Sequence, residues 1–195
     1  AYLLNAASRL DAQATVATAS KYLDHAKPGV RLAAGCVVYQ HGDRAAGRRA
    51  LAGALARGTY SDLGLHDVLA AVRALVAVGR PEDLDVARVI FTRDYFEEAS
   101  ESDRAPVVAA FGDKAGPGPF PFYLRQIGNT RTDGGSTSYQ EGKPPQRRTF
   151  AQDAAREFLE SPLGKRSGIA WLADETESAK SDVMRQLKVW LEEQR

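Results

Sequence analysis

Residues 28–56, PGVRLAAGCVVYQHGDRAAGRRALAGALA, constrain the rest of the chain most strongly. Apolar residues recur at helical spacing on both sides of His41-Gly42-Asp43. Val30, Ala33, Cys36 and Val37 share one face of a helix over about 29–40. Ala46, Ala50, Leu51, Ala54 and Leu55 share one face of the next. Pro28 stands where a helix tolerates proline, because a first-turn N–H has no intrahelical acceptor. Gly42 suits a left-handed C-cap, and Asp43 suits an N-cap. Many inward positions are alanine, so two such helices can approach closely and repeat that contact.

The flanking chain varies the same unit. Tyr2, Leu3, Ala6, Ala7 and Leu10 follow helical spacing, and Asp11 is placed to cap a helix over 12–23 carrying Val16, Ala19, Tyr22 and Leu23. Leu65, Val68, Leu69, Val72, Leu75 and Val76 form the clearest amphipathic stripe, ended by Gly79-Arg80-Pro81. Asp83 is expected to cap a helix running through Val86, Ala87, Val89, Ile90 and Phe91 toward Tyr95 and Phe96. A short helix over 105–111 ends at Gly112-Asp113. Laying Gly42 on Gly79 is a shift of 37 residues, and laying Gly79 on Gly112 is a shift of 33. Such a period holds two short helices, which reads as a stack of helix pairs, an α-solenoid.

Pro28-Gly29-Val30-Arg31, then Leu32-Ala33-Ala34 and the Gly42-Asp43 turn, resemble a HEAT repeat. The unit over 69–90 keeps the apolar spacing and the glycine but lacks the Pro-x-Val-Arg opening. The resemblance covers residues 1–114. It implies an all-α fold, an α-solenoid of about four to five stacked antiparallel helix pairs, and a habit of binding partners. It implies no reaction.

The pattern stops after Lys114. Residues 115–123 are a Pro/Gly break followed by Phe120, Phe122 and Tyr123, with a helical turn over 124–127. Residues 128–148 are polar and glycine-rich, so 115–148 reads as a long irregular loop, functional or disordered at that length. Thr149 then caps a helix with Phe150, Ala154, Phe158 and Leu159 on its stripe. Ile169, Trp171 and Leu172 cluster, and a last helix over about 177–193 uses Val183, Leu187, Trp190 and Leu191. Residues 149–195 therefore read as a helical C-terminal cap with a polar end. The expected organisation is one all-helical domain, 1–195.

Composition narrows function mainly by exclusion. With 26 basic and 25 acidic residues the net charge is +1, which points to neither nucleic acid nor a membrane surface. No run approaches membrane-spanning length. Cys36 is the only cysteine, so no internal disulfide forms. The start, without Met or a signal-peptide pattern, reads as a processed chain or an excised piece of a larger protein. Abundant Ala, Arg, Gly and Leu look like a GC-rich bacterial coding sequence.

No catalytic, cofactor or metal constellation emerges. His25, His41 and His66 lack metal-ligand spacing. Cys36 lies on an apolar face, where cysteine is a small hydrophobe. The carboxylates Asp94, Glu97, Glu98, Glu101 and Asp103 lack a calcium-loop pattern and read as a solvated helix end. No phosphate-binding glycine motif or nucleophile elbow is present. What remains is binding. Arg44, Arg48, Arg49 and Arg57 read as one basic helix face. Phe120, Phe122 and Tyr123 read either as a core seal or as an exposed hook. Arg125, Arg131, Lys143, Arg147 and Arg148, against Asp133 and Glu141, give the 115–148 segment the chain's one local basic bias, compatible with an acidic partner. The expected function is a non-catalytic scaffold or protein–protein interaction module. The alternative, drawn from HEAT-like DNA glycosylases, is a nucleic-acid binder or enzyme with a basic concave face.

Overall fold

The computed structural model describes residues 12–59, 62–116, 118–128, 137–138, 146–147, 149–171 and 176–194. The fold is all-α, with a two-residue antiparallel pairing as its one sheet element among the described residues. The chain divides into two compact units, Ala1–Lys114 and Ala115–Arg195, at the point where the helical spacing read from the sequence stops.

In the first unit the helices are α1 Ala12–Ser20, α2 Pro28–His41, α3 Arg44–Arg57, α4 Leu65–Val78, α5 Pro81–Arg88, α6 Asp94–Glu97 and α7 Glu101–Phe111. Pro28 and Pro81 each open a helix in its first turn. Asp43 caps α3, its Oδ1 accepting from the Ala45 N–H at 2.9 Å and the Ala46 N–H at 3.1 Å. Gly79 ends α4 in the left-handed region, with φ 69°. Gly42 departs from expectation, because its φ is −134° and is not left-handed. Its lack of a side chain matters for another reason: a Cβ there would sit 2.6 Å from Val16 Cγ1.

Two connections also differ from the sequence reading. The helix expected to run from Asp83 to Phe96 is broken. Its N-cap is Arg80, Asp83 lies inside its first turn, and the chain tightens into a 3-10 turn at Val89–Thr92 before α6. Val89 and Ile90 are β-branched and weaken the α-helical preference there. The tighter turn buries both Ile90 and Phe91. Asp11, Tyr2 and their neighbours lie outside the described residues, and α1 ends at Ser20 rather than at Leu23.

α2 and α3, joined only by Gly42 and Asp43, pack along each other. α1 also packs on α2. α4 packs on α2, α5 and α7, and α5 packs on α3 as well. Leu32, Val37, Leu51, Leu55, Val72 and Leu75 are fully buried between them. Later side chains close earlier helix ends. Arg93 Nη1 donates to the Ala56 carbonyl at 2.6 Å, and Tyr95 Oη donates to the Leu55 carbonyl at 3.0 Å. Lys114 Nζ donates to the Val76 carbonyl at 2.8 Å. These contacts satisfy C-terminal carbonyls that have no intrahelical donor.

The second unit holds α8 Phe120–Ile127, α9 Phe150–Glu160 and α10 Glu177–Glu193, each packed on the other two. Thr137–Ser138 pairs antiparallel with Gln146–Arg147. The irregular loop expected over 115–148 therefore contains a helix. α8 starts at Phe120, not Leu124, because Pro121 falls in its first turn, where proline is helix-compatible. Thr149 and Gln152 form a reciprocal capping box at the start of α9, at 3.0 and 3.2 Å.

Candidate functional site

The arginines of α3 do not form one face. Successive residues on a helix turn by about 100°, so Arg44 and Arg48 project together while Arg49 and Arg57 project elsewhere. The structure gives these two groups different surroundings.

Arg48 turns to α5. Its Nη1 lies 3.0 Å from Glu82 Oε1 and 3.4 Å from Asp83 Oδ1. Arg44 is exposed, with its guanidinium carbon 5.7 Å from the centroid of the Tyr39 ring. Asp83 and Tyr39 are both buried, and neither Asp83 Oδ2 nor Tyr39 Oη has a hydrogen-bond partner. Burial, with the nearby Asp83 carboxylate adding to it, pushes the Tyr39 phenol up to about 12. The N–H of its own backbone, followed by Arg48, holds the Glu82 carboxyl below its usual value. This side of α3 is an internal polar network, and Arg48 is committed to it.

The other side of α3 is open. Arg49 and Arg57 line a cleft of about 220 Å³ together with Arg31 of α2 and with Leu23 and Asp24 of the α1–α2 connection. Arg31 Nη1 donates to the carbonyls of His25 at 2.6 Å and Ala26 at 2.9 Å, which fixes its guanidinium at the rim. Arg31 Nε is buried without a partner. Arg57 Nε donates to the Gly53 carbonyl at 3.2 Å. Among the described residues no carboxylate pairs with Arg31, Arg49 or Arg57, although Asp24 is in the same cleft. The cleft thus presents three guanidinium groups and one carboxylate around an apolar edge.

Phe120, Phe122 and Tyr123 are all buried, so the hook reading fails. The Phe120 ring meets Phe158 at 6.1 Å and Trp190 at 5.6 Å, and the Tyr123 ring meets Phe158 at 4.8 Å. Tyr123 Oη donates to Glu157 Oε1 at 2.6 Å. Arg147 lies in the short pairing opposite Thr137. Arg131 and Arg148 lie outside the described residues.

Sequence reasoning missed a set of buried polar residues in the second unit. Gln152, Asp153 and Glu157 on α9, Gln126 on α8 and Lys180 on α10 are all buried. Glu177 joins two of them, with Lys180 Nζ 3.0 Å from Oε1 and Gln152 Nε2 donating to Oε2 at 2.8 Å. Lys180, followed by Gln152, holds the Glu177 carboxyl below its ordinary range. The available signal was stripe width. Asp153 and Glu157 sit one turn apart, beside Ala154 and Phe158, on a helix buried around most of its circumference.

The remaining candidates are quiet. Cys36 is buried, and burial with the Asp67 carboxylate pushes its thiol up to about 12, away from thiolate chemistry. His25 Nδ1 accepts from the Lys27 N–H at 3.1 Å. Among the described residues no group of three or more His, Cys, Asp or Glu side chains could hold a metal ion. No described helix is long and apolar enough to cross a membrane. No family model, curated protein or solved structure matches the chain.

Proposed function

We propose that the protein is a non-catalytic interaction module whose first unit is a short α-solenoid of HEAT type. The observation that carries this reading is the packing order of the first unit. α2 packs on α4 and α4 on α7, while α3 packs on α5. Two layers therefore grow side by side, with α2–α3 and α4–α5 as successive pairs.

Polar ties between neighbours support the same period. Arg48 reaches Asp83 across 35 residues, Arg93 reaches Ala56 across 37, Lys114 reaches Val76 across 38, and Tyr95 reaches Leu55 across 40. A stack stabilised by neighbour contacts leaves extended surfaces for a partner. The basic face invoked for nucleic acid is divided, because Arg44 and Arg48 project away from Arg49 and Arg57, and Arg48 is paired with Glu82 and Asp83. A phosphate track needs cations that recur along several helices.

Crosslinking the tagged full chain in extract of its own cells, followed by peptide mapping, tests this reading. One protein recovered at near-stoichiometric ratio, with crosslinks on α2–α5, is expected. A salt-labile nucleic acid as the main companion, or no stoichiometric companion, would refute it.

A further inference from the structure

We infer that the cleft between α3 and the α1–α2 connection receives a carboxylate side chain from an acidic segment of the partner. The inference rests on the interaction-module reading and names the chemistry of the partner's contact. Arg31, Arg49 and Arg57 converge on one cleft and have no carboxylate partner of their own. Guanidinium groups stay charged at any working pH and present forked donors that match a carboxylate's two oxygens. Arg31 is already oriented by two backbone carbonyls, so less freedom is lost when it binds.

The remaining lining selects among anions. Leu23 offers apolar surface for the methylene stem of a Glu or Asp. Asp24 is the opposing charge in the cleft, and it repels a dianionic phosphate more strongly than a single carboxylate. The volume, about 220 Å³, suits one side chain rather than a run of nucleotides. Arg44 and Arg48, which would have to extend the cleft into a phosphate track, project from the other side of α3.

Fluorescence anisotropy with a labelled hexaglutamate peptide at low salt, about 50 mM, tests the inference on the full chain. Salt-sensitive binding is expected. It should weaken by roughly fivefold in Arg49→Glu and in Arg57→Glu, since losing an exposed ion pair costs up to about that factor and the reversed charge adds repulsion. It should tighten in Asp24→Asn. Arg49, Arg57 and Asp24 are exposed, and a circular dichroism spectrum of each variant is to match the parent's before its binding is compared. Absence of hexaglutamate binding, or binding indifferent to both arginine reversals, overturns the inference. So does displacement of the peptide by inorganic phosphate or a single-stranded oligonucleotide at lower concentration than by unlabelled hexaglutamate. If the crosslinked protein companion persists unchanged in Arg49→Glu/Arg57→Glu, the cleft assignment fails while the module reading stands. If the wild-type chain has no companion, the module reading itself fails.

Discussion

Gly47→Ala sets two known effects against each other. Replacing glycine by alanine inside a helix ordinarily stabilises by about 1 kcal/mol. At Gly47 the added Cβ would lie 2.6 Å from Tyr39 Cα and closer still to the Tyr39 backbone nitrogen. Nonbonded carbon atoms need roughly 3.5–4 Å. The obstacle is the backbone of α2, which cannot swing aside as a side-chain tip can. α2 and α3 must therefore separate locally by about 1 Å, and a gap of that size forfeits a quarter to a half of each affected contact. Overpacking of this kind costs roughly 1–3 kcal/mol, and a backbone obstacle belongs at the upper end. The net expectation is a loss of about 2 kcal/mol. Gly53→Ala is the internal control on the same helix, because its Cβ would meet only the end of the Arg57 side chain, with Nη2 at 2.8 Å. That variant should gain about 0.5–1 kcal/mol. Urea unfolding followed by circular dichroism reads both changes. The reactivity of the Cys36 thiol, buried in α2, reports the same opening directly and should rise roughly thirtyfold in Gly47→Ala. Equal stabilisation by the two substitutions would show that α2 and α3 do not approach as closely as described.

Leu75 is fully buried on α4, which packs on α2, α5 and α7, so Leu75→Ala should destabilise by roughly 2–5 kcal/mol in urea unfolding. A change near zero would contradict the burial of Leu75 among these helices. Cys36 should resist a disulfide reagent in the native chain and react fully in denaturant, since its thiol is pushed up to about 12. Rapid native labelling would contradict the burial of α2. The Tyr39 phenol is raised from 10 to about 12, so the folded state favours its neutral form. That contribution is whole below pH 10 and is lost as pH rises toward 12. Tyr39→Phe should remove this alkaline component and be neutral or stabilising by up to about 1 kcal/mol at pH 7, because the buried hydroxyl has no partner to lose. A marked loss of stability at pH 7 would instead reveal a working hydrogen bond to Asp83.

What the sequence disclosed follows from what is local. The stripes of α3 and α4, the caps at Asp43 and Thr149, and the break after Lys114 depend on neighbours within a few residues. Gly42 shows where that ends. A glycine after a helix suits a left-handed cap, yet here the constraint is Val16 Cγ1, brought in from another helix. The prolines around Phe120 look like punctuation, but Pro121 occupies a helix's first turn, so the aromatic run became a helix face. The arginines of α3 were visible as a cluster. Their division was not, because Glu82 and Asp83 on one side and Leu23, Asp24 and Arg31 on the other come from other elements.

That division also assigns a role to Asp83. A buried ion pair is weak support for stability, since desolvating two charges offsets much of their attraction. Removing one partner is a different matter, because it leaves a buried charge uncompensated. Asp83 is fully buried while the Arg48 side chain keeps 29% exposure, so some water reaches the pair. We therefore expect Arg48→Ala to destabilise, but by less than the loss of one partner from a fully buried pair. Replacing both residues by apolar ones, Arg48→Met with Asp83→Leu, should return stability to within about 1 kcal/mol of the parent. The pair would then act mainly as a register key between α3 and α5. Slipping one pair of helices along the other strands Asp83 in the core, whereas the apolar double variant tolerates the slip. Urea unfolding of Arg48→Met, of Asp83→Leu and of the double closes the cycle. A double variant as unstable as the summed singles would mean that Arg48 and Asp83 are not energetically coupled, and the register-key role would fail.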